Sequence, residues 1–307
     1  MKPSDASVSV GMPVRNGAKG IDNVIRSVLA QDHERLELVI CDNASTDATQ
    51  DICREYAAHD SRVTYVRHST NIGLLSNFVS AIQYASGEYF RWIGDDDWLD
   101  PSYVSKALAV FDRDDRLVLV TTQVRYMRPD GSNVVEEGHI PEGLASADPV
   151  ARFGQMLRLL NSSPFLVDPL YSLVRRRVVA AIPRRNMLRE DQVFATKLAL
   201  VGPWGHVPET LAIRNTRLET RASVARLLDA PAWQAHAANT VQCLEMLRWL
   251  SRDDLTNVQR RRARSAVIRM YVDRQVAVWK HRFSRGRRAV DGLLGREGHS
   301  DLVLGRD

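Results

Sequence analysis

The chain has 307 residues, of which 44% are hydrophobic and 26% charged, so it can form a sizeable core and is not a disordered protein. Its three cysteines, an odd number without metal-site spacing, argue against a disulfide framework and predict buried, reduced thiols. The net charge of +5 gathers near the C-terminus without a zinc-finger spacing or an RNA-recognition aromatic motif, so we expect no nucleic-acid partner.

The first part of the chain alternates short apolar segments with amphipathic ones. Residues 8–14, 36–41, 63–66 and 89–93 have the composition of buried strands. From Ile21, apolar residues recur at i, i+3, i+4, i+7 and i+8, which is the stripe of an amphipathic helix. Strands that alternate with helices predict a mostly parallel α/β sheet with helices on both faces.

Polar residues follow each of these strands. Arg15, Asp42, Asn71 and Asp95 come at or after the carboxyl ends of successive strands. Because parallel strands end at the same edge of a sheet, these side chains should converge although they are far apart in sequence. The sequence therefore predicts a binding site at this edge.

The run Asp95, Asp96 and Asp97 directly follows the fourth strand. On an extended segment Asp95 and Asp97 share one face while Asp96 points away. Carboxylate oxygens suit Mg²⁺ or Mn²⁺, and such an ion would hold a diphosphate. The alternative is a solvated acidic cluster that caps the following helix.

The second part of the chain continues as mixed structure and then becomes helical. From about residue 222 onward the strand patterns stop, and we place a boundary at residue 221. The predicted elements before it are a strand at 117–120, a helix at 149–160, an extended segment at 170–174, a helix that begins near 190, and short strands near 205–207 and 211–214.

Five short motifs occur in an order typical of one enzyme family. They lie at residues 10–16, 41–47, 71–73, 95–97 and 190–191. In this order and spacing the chain resembles the family 2 glycosyltransferases, which are inverting enzymes of the GT-A fold, over roughly residues 7–220.

The resemblance implies a GT-A catalytic domain at residues 1–221. Its nucleotide-sugar-binding half covers about residues 7–111, its acceptor half about 112–221, and a helical, basic region follows at 222–307. The implied donor is a UDP- or dTDP-sugar, with Mn²⁺ or Mg²⁺ as cofactor. The implied acceptor is a hydroxyl of a saccharide, a lipid-linked molecule or a small molecule.

The resemblance also implies a role for individual residues. Asp97 would hold the metal ion together with Asp95, and Asp191 would be the general base, with Glu190 beside it. For Asp191 the alternative is a helix-capping carboxylate. The residues that match the donor site are Pro13, Arg15, Asn16, Asp42, Asn43, Asn71, Gly73, Asp95 and Asp96.

One departure from the family pattern concerns the end of the catalytic domain. Family members often carry a His shortly after an Arg there, but no His follows Arg214. Arg214, Arg217 or Arg221 would then contact the diphosphate by bidentate hydrogen bonds. His206, on a nearby predicted strand, is either a metal ligand or a structural residue.

Two other functions remain open at this stage. A sugar-phosphate nucleotidyltransferase also uses carboxylates, a divalent ion and an α/β sheet, although no Gly-rich triphosphate loop is present. A non-catalytic protein that binds a nucleotide sugar or acts as a scaffold is the other alternative. Asp191→Asn separates the three hypotheses, because only the transferase hypothesis expects intact donor binding with lost transfer.

The C-terminal region combines apolar and basic residues at helical spacing. It could contact an anionic membrane surface, or bury its apolar face on the catalytic domain or on a second copy of the chain. The sequence shows neither an N-terminal signal peptide nor an apolar segment of roughly 18 residues, so we expect a cytoplasmic protein. The alternative is a cytoplasmic protein that binds peripherally to the inner face of the membrane. The basic residues are Arg260, Arg261, Arg262, Arg264, Arg269, Arg274, Lys280, Arg282, Arg285, Arg287 and Arg288.

Overall fold

The computed structural model describes residues 2–136, 142–162, 169–216, 220–251 and 255–293. The strands are β1 (Val8–Val14), β2 (Leu36–Asp42), β3 (Val63–Arg67), β4 (Tyr89–Trp92), β5 (Trp98–Leu99), β6 (Leu119–Met127), β7 (Asn133–Glu136), β8 (Leu173–Arg175) and β9 (Trp204–Asn215). The helices are α1 (Ile21–Leu29), α2 (Thr49–His59), α3 (Leu74–Tyr84), α4 (Tyr103–Phe111), α5 (Glu142–Ala145), α6 (Pro149–Ser162), α7 (Arg176–Ala180), α8 (Glu190–Val201), α9 (Arg221–Leu227), α10 (Gln234–Trp249) and α11 (Asn257–Leu293).

All nine strands belong to one sheet, in the order β3-β2-β1-β4-β8-β6-β9-β5, with β7 paired to β6. The first four strands are parallel, as the alternation of strands and helices predicted. The next strand in the sheet, β8, is antiparallel to both of its neighbours, so the sheet is mixed in its second half. The two short strands predicted near residues 205 and 213 are one strand, β9, which runs parallel to β6 through two irregularities.

The core has two parts, one on each face of the sheet. Alternate residues of the fourth strand point to opposite faces, so Phe90 and Trp92 enter one part while Tyr89 enters the other. Helices α1, α2 and α4 cover the face of Tyr89, and α3, α6 and α8 cover the face of Trp92. A sheet covered on both faces explains why its strands read as nearly continuous apolar runs.

The C-terminal helices share the core of the sheet. The predicted boundary at residue 221 coincides with the start of α9. On α11, Ala263, Val267 and Met270 are buried, and this helix packs against α6 and α10. The expectation that the helical region packs its apolar face on the catalytic domain is therefore met for one face of α11.

A second face of α11 is exposed. Ile268, Val272, Val276 and Trp279 lie at helical spacing and are each about half exposed or more. Across the helices of the described residues, the search for a long apolar stretch able to cross a bilayer found none. The basic helix thus carries an apolar stripe that the fold leaves uncovered within the described chain.

The three cysteines, Cys41, Cys53 and Cys243, are buried free thiols, as the sequence predicted. Burial raises the pKa of Cys41 to about 12, and burial together with the nearby carboxylates of Asp42 and Asp47 raises the pKa of Cys53 to about 12. Burial also raises the pKa of Cys243. All three thiols therefore stay protonated at neutral pH.

Candidate active site

The carboxyl ends of β1 and β2 are joined by backbone and amide hydrogen bonds. The backbone N–H of Asn43 donates to the carbonyl of Val14 at 2.9 Å. The buried side chain of Asn77, on α3, donates to the carbonyl of Cys41 at 2.8 Å and to that of Val14 at 3.4 Å. These contacts hold the carboxyl ends of β1 and β2 beside each other, where the loops after the two strands begin.

Asn43 holds the loop after β3 beside the end of β2. Its side-chain amide donates to Oδ1 of Asn71 at 2.7 Å, and its Oδ1 accepts from the backbone N–H of Ile72 at 2.8 Å. Gly73 follows with a φ of +89°, a conformation that favours glycine. Three of the predicted donor-site residues, Asn43, Asn71 and Gly73, are thus brought together.

Asn16 joins the loop after β1 to the loop after β2. It adopts a left-handed conformation with a φ of +57°, its backbone N–H donates to Oγ of Ser45 at 2.9 Å, and its Oδ1 accepts from the backbone N–H of Thr46 at 2.8 Å. The preceding Arg15 is exposed at this edge, whereas Pro13 is buried within β1. Arg15 is therefore accessible to solvent at this edge, whereas Pro13 is not.

Asp42 is fully buried, and both oxygens of its carboxylate contact other groups of the protein. Its Oδ2 accepts from the hydroxyl of Tyr65 at 2.7 Å and lies 3.5 Å from Nε of Arg67, and its Oδ1 accepts from the backbone N–H of Ser45 at 2.8 Å. Burial raises the pKa of Tyr65, and the hydrogen bond to Asp42 raises it further. Direct contact between Asp42 and a nucleobase would therefore need one of these partners to move.

Asp97 is the most enclosed carboxylate of the acidic run, with a side chain that is 2% exposed. Its Oδ2 accepts from the backbone N–H of Gly94 at 2.9 Å and from Nε of Arg214 at 3.3 Å. Its Oδ1 is buried and accepts no hydrogen bond from the described residues. A buried carboxylate oxygen in this state is costly unless a cation or a donor reaches it.

Asp95 packs against the loop that precedes α1. A Cβ atom added to Gly17 would lie 2.6 Å from Oδ2 of Asp95, and one added to Gly20 would lie 2.6 Å from its carbonyl oxygen. Only glycine allows such a close approach. Gly17 and Gly20 were not among the predicted site residues, although both follow the first strand, at the edge where the binding site was predicted.

Arg214, one of the three arginines expected to contact the diphosphate, lies beside the acidic run. The short strand β5 pairs with β9, with Trp98 opposite Ile213, and this pairing places the end of β9 next to Asp97. The guanidinium of Arg214 also stacks 3.5 Å from the ring centre of Tyr171. The amide of Asn215 donates to the backbone carbonyl of Asp96. Arg217 lies outside the described residues.

His206 is not part of this cluster. Its Nδ1 is 2.8 Å from Oγ1 of Thr121, which is its partner on β6, whereas Arg214 is opposite Tyr126. Thr121 and Tyr126 are separated by about 16 Å along the strand, at about 3.3 Å per residue. His206 therefore lies beyond the reach of an ion held by Asp97, and its position fits the structural alternative.

The acidic run fits a divalent ion that binds together with a ligand. Among the described residues there is no group of three or more His, Cys, Asp or Glu side chains able to hold a metal ion. Mg²⁺ at phosphate sites is typically bound by one or two carboxylates plus phosphate oxygens and waters. Asp97, with its unsatisfied Oδ1, and Asp95 supply two such carboxylates at the end of the same strand.

Glu190 and Asp191, the two predicted catalytic carboxylates, have different environments. Glu190 is 7% exposed and forms a bidentate ion pair with Arg184, with Nε to Oε1 at 2.8 Å. That guanidinium in turn lies 4.7 Å from the ring centre of Phe194 and 5.2 Å from that of Trp92. Asp191 is exposed in the first turn of α8. Glu190 is therefore enclosed in an ion pair whereas Asp191 is accessible to solvent, and the catalytic roles predicted for both stay predictions.

A 3-10 turn links the acidic run to the helix that carries Asp191. The turn Pro169–Tyr171 packs against α8, and its Tyr171 stacks on Arg214, which bonds Asp97. The acidic run and α8 are therefore connected through this turn. Asp97 supplies a buried carboxylate with an oxygen that has no hydrogen-bond partner among the described residues, and α8 supplies an exposed carboxylate in Asp191.

The sequence of this region matches a known family. Residues 9–182, more than half of the chain, match the model for Glycosyl transferase family 2. The chain belongs to this family. The resemblance stated from the five motifs is thus confirmed.

Relatives of this family 2 protein carry related descriptions. It is 31% identical over 194 residues to the putative teichuronic acid biosynthesis glycosyltransferase TuaG of Bacillus subtilis, with 63% of this chain and 71% of TuaG covered. It is 33% identical over 135 residues to chondroitin synthase of Pasteurella multocida, with 44% of this chain covered. That match spans only 14% of the length of the synthase.

Solved structures show the same fold. A fragment of TarS from S. aureus in complex with UDP-GlcNAc aligns with a TM-score of 0.62 at 17% identity, over 87% of this chain and 73% of the fragment. The mannosyltransferase PcManGT from Pyrobaculum calidifontis, in complex with GDP-Man and Mn²⁺, aligns with a TM-score of 0.53 at 16% identity, over 93% of this chain and 80% of that one. The predicted GT-A architecture with a helical C-terminal region is confirmed.

Proposed function

We propose that this protein is an inverting, metal-dependent glycosyltransferase that moves a sugar from a UDP- or dTDP-linked donor to a hydroxyl group. The observation that carries the proposal is the enclosed carboxylate of Asp97, whose Oδ1 has no hydrogen-bond partner among the described residues. It lies at the end of a parallel strand, where α/β sheets bind ligands. Family membership supports the class of reaction.

The donor side would work through Asp97, Asp95 and Arg214. The two carboxylates would hold Mn²⁺ or Mg²⁺, which as a Lewis acid supplies stabilisation of the charge that develops on the leaving diphosphate. Arg214 is held in place by Asp97 and by Tyr171 and adds a cation next to the same site. Asn43 and Asn16 would fix the loops that surround the nucleotide.

The acceptor side would work through Asp191. An exposed carboxylate within hydrogen-bond reach of the acceptor hydroxyl can take its proton as the oxygen attacks the anomeric carbon. Attack from the face opposite the leaving diphosphate inverts the configuration at that carbon in a single displacement. Glu190 would contribute indirectly, because its ion pair with Arg184 anchors the first turn of α8.

The identity of the nucleotide and the identity of the acceptor are two further proposals. A UDP-sugar is proposed as the donor because TarS is in complex with UDP-GlcNAc, and a GDP-sugar is the alternative because PcManGT is in complex with GDP-Man. The names of TuaG and the chondroitin synthase favour an acceptor that is a growing saccharide, lipid-linked or free, in polysaccharide biosynthesis.

We also propose that the exposed face of α11 contacts an anionic membrane surface. Ile268, Val272, Val276 and Trp279 form its apolar stripe. Arg261 lies on the same side, and the exposed Arg264, Arg269 and Lys280 flank it. An apolar stripe bordered by cations is typical of helices that lie in a membrane interface. Self-association through the same stripe is the competing outcome.

Isothermal titration calorimetry with UDP, dTDP, GDP and CDP, with and without Mn²⁺, tests the donor site. We expect one diphosphate to bind in a metal-dependent manner, and Asp97→Ala to weaken this binding by about 10- to 100-fold, the range for loss of a metal-site contact. Asp51→Asn, an exposed carboxylate on α2, is the matched control and should bind as the wild type does.

Two outcomes would count against this proposal. Equal binding by wild type and Asp97→Ala would remove Asp97 from the donor site. Metal-dependent binding of a nucleoside triphosphate in preference to every diphosphate would favour the nucleotidyltransferase alternative.

A further inference from the structure

A cavity of about 460 Å³ lies where the C-terminal helices meet the start of α8. Its walls come from the end of α6, the first residues of α8 and α9, and the facing sides of α10 and α11. The volume is within the range of small-molecule sites. The lining residues used below are Arg189, Gln192, Arg221, Asn239, Asp273 and Arg274.

The cavity gathers three guanidinium groups, from Arg189, Arg221 and Arg274. Within the described part of the chain none of the three forms an ion pair. Arg274 donates to neutral acceptors instead, namely Oδ1 of Asn161 at 2.7 Å, the carbonyl of Leu160 at 2.6 Å and the side-chain oxygens of Gln192 and Gln242. These oxygens hold the position of Arg274 without neutralising its charge. Asp273 contributes one carboxylate to the lining, against the three guanidinium groups.

The three charges repel one another. Burial, together with the nearby charge of Arg189, lowers the pKa of Arg274 to about 10. Burial likewise lowers the pKa of Arg189, as does Arg221, against a smaller opposing effect of Asp191. Both groups nevertheless stay charged at neutral pH. Cations that are partly desolvated and close together are stabilised by a bound anion.

A polar side chain of the cavity wall also lacks a partner. Oδ1 of Asn239 is buried and forms no hydrogen bond with the described residues. Because amide oxygen and nitrogen differ only by rotation of the group, the same side chain can present its NH₂ group to a ligand. An anion in the cavity would then receive bonds from guanidinium groups and from this amide.

We propose that this cavity is an acceptor subsite that binds an anionic group, a phosphate or a carboxylate, of the sugar acceptor. Arg189 and Gln192 line it, and Asp191 lies between them in the first turn of α8. Asp191 itself does not line the cavity, so an acceptor anchored here by its oxyanion would have to extend out of the cavity to bring a hydroxyl to Asp191. Guanidinium groups bind both kinds of oxyanion in bidentate geometry. The role as an acceptor subsite rests on the function proposed for Asp191, whereas the binding of the anion does not.

Calorimetric titrations with inorganic phosphate, glycerol 3-phosphate and glucuronate, at constant ionic strength and without donor, test the subsite. We expect saturable binding to the wild type, roughly 10-fold weaker binding to Arg221→Gln for one lost charge-assisted contact, and no measurable binding to Arg221→Gln/Arg274→Gln. Arg54→Gln, which removes an exposed arginine of α2, is the matched control and should bind as the wild type does. The tighter of the two organic ligands identifies the anionic group.

Equal binding by the wild type and the Arg221→Gln variant, or the absence of saturable binding to the wild type, would overturn the proposal. Because Arg221 is exposed at the start of α9, its substitution should leave the fold intact, which the melting temperature checks. Anion binding should also persist in Asp97→Ala. In the wild type, anion binding without metal-dependent donor binding would contradict the metal site alone, and donor binding without anion binding would contradict the subsite alone.

Discussion

The two edges of the candidate active site differ in secondary structure and in the charge of their side chains. The donor edge consists of loops at the ends of parallel strands and presents carboxylates, with an unsatisfied oxygen on Asp97. The acceptor edge consists of helices and presents the guanidinium groups of Arg189, Arg221 and Arg274. At the donor edge, Oδ1 of Asp97 accepts no hydrogen bond from the described residues although Oδ2 is paired with Arg214, and at the acceptor edge three arginines face one lining carboxylate, Asp273. The difference suggests that each substrate completes the charge of the edge to which it binds.

The largest expected effect separates proton transfer from donor binding. Asp191→Asn keeps the shape of the side chain but removes its basicity, so kcat should fall by about 10²- to 10⁴-fold. The affinity for the nucleoside diphosphate, measured by calorimetry, should not change, because Asp191 belongs to the acceptor edge. A kcat equal to that of the wild type would exclude Asp191 as the base and remove the proposed link between the two edges.

The neighbouring carboxylate should affect stability rather than chemistry. Glu190→Gln leaves the guanidinium of Arg184 buried without its counter-charge, which typically costs about 3 kcal/mol in the free energy of unfolding. Urea unfolding measures this loss, and kcat per folded molecule should stay near the wild-type value. The double variant Arg184→Met/Glu190→Leu should recover part of the stability, since it removes both charges. Wild-type stability together with a large loss of kcat would instead assign Glu190 a chemical role.

The smallest expected effect concerns the outer side of the helical edge. Trp279→Ala removes the largest apolar side chain of the exposed stripe on α11 and should weaken flotation with anionic vesicles roughly 10-fold. Trp233→Ala, at another exposed tryptophan, serves as the control and should float as the wild type does. Failure of the wild type to float would contradict the membrane contact, and a Trp279-dependent dimer in sedimentation would assign the stripe to self-association.

The two edges also differ in how far the sequence predicted them. At the donor edge, Arg15, Asp42, Asn71 and Asp95 were expected near one another, because parallel strands end at a common edge whatever their separation in sequence. The acidic run added Asp97, the resemblance to the family added Asn43, and Arg214 was one of three arginines expected at the diphosphate. The contact of Asp95 with Gly17 was missed, since it depends on the path of a loop.

The acceptor edge could not be predicted in the same way. Arg189 and Arg274 are brought together by the packing of α10 against both α8 and α11, and helix periodicity defines the buried face of each helix but not its partner. The sequence therefore identified Arg274 only as one of many basic residues of the C-terminal region and did not indicate that it lines a cavity. The same limit explains why the ion pair of Glu190 was not predicted, because its partner Arg184 lies in a loop without helical periodicity.

The buried thiols offer a practical advantage for following these edges in solution. Cys41, Cys53 and Cys243 are enclosed and protonated, so a maleimide should react slowly with the folded wild type. A cysteine introduced at the exposed Thr46, in the loop that Asn16 holds, could then be labelled selectively without first removing the native cysteines. A fluorophore at this position would report in real time when the loop responds to the arrival of a nucleotide.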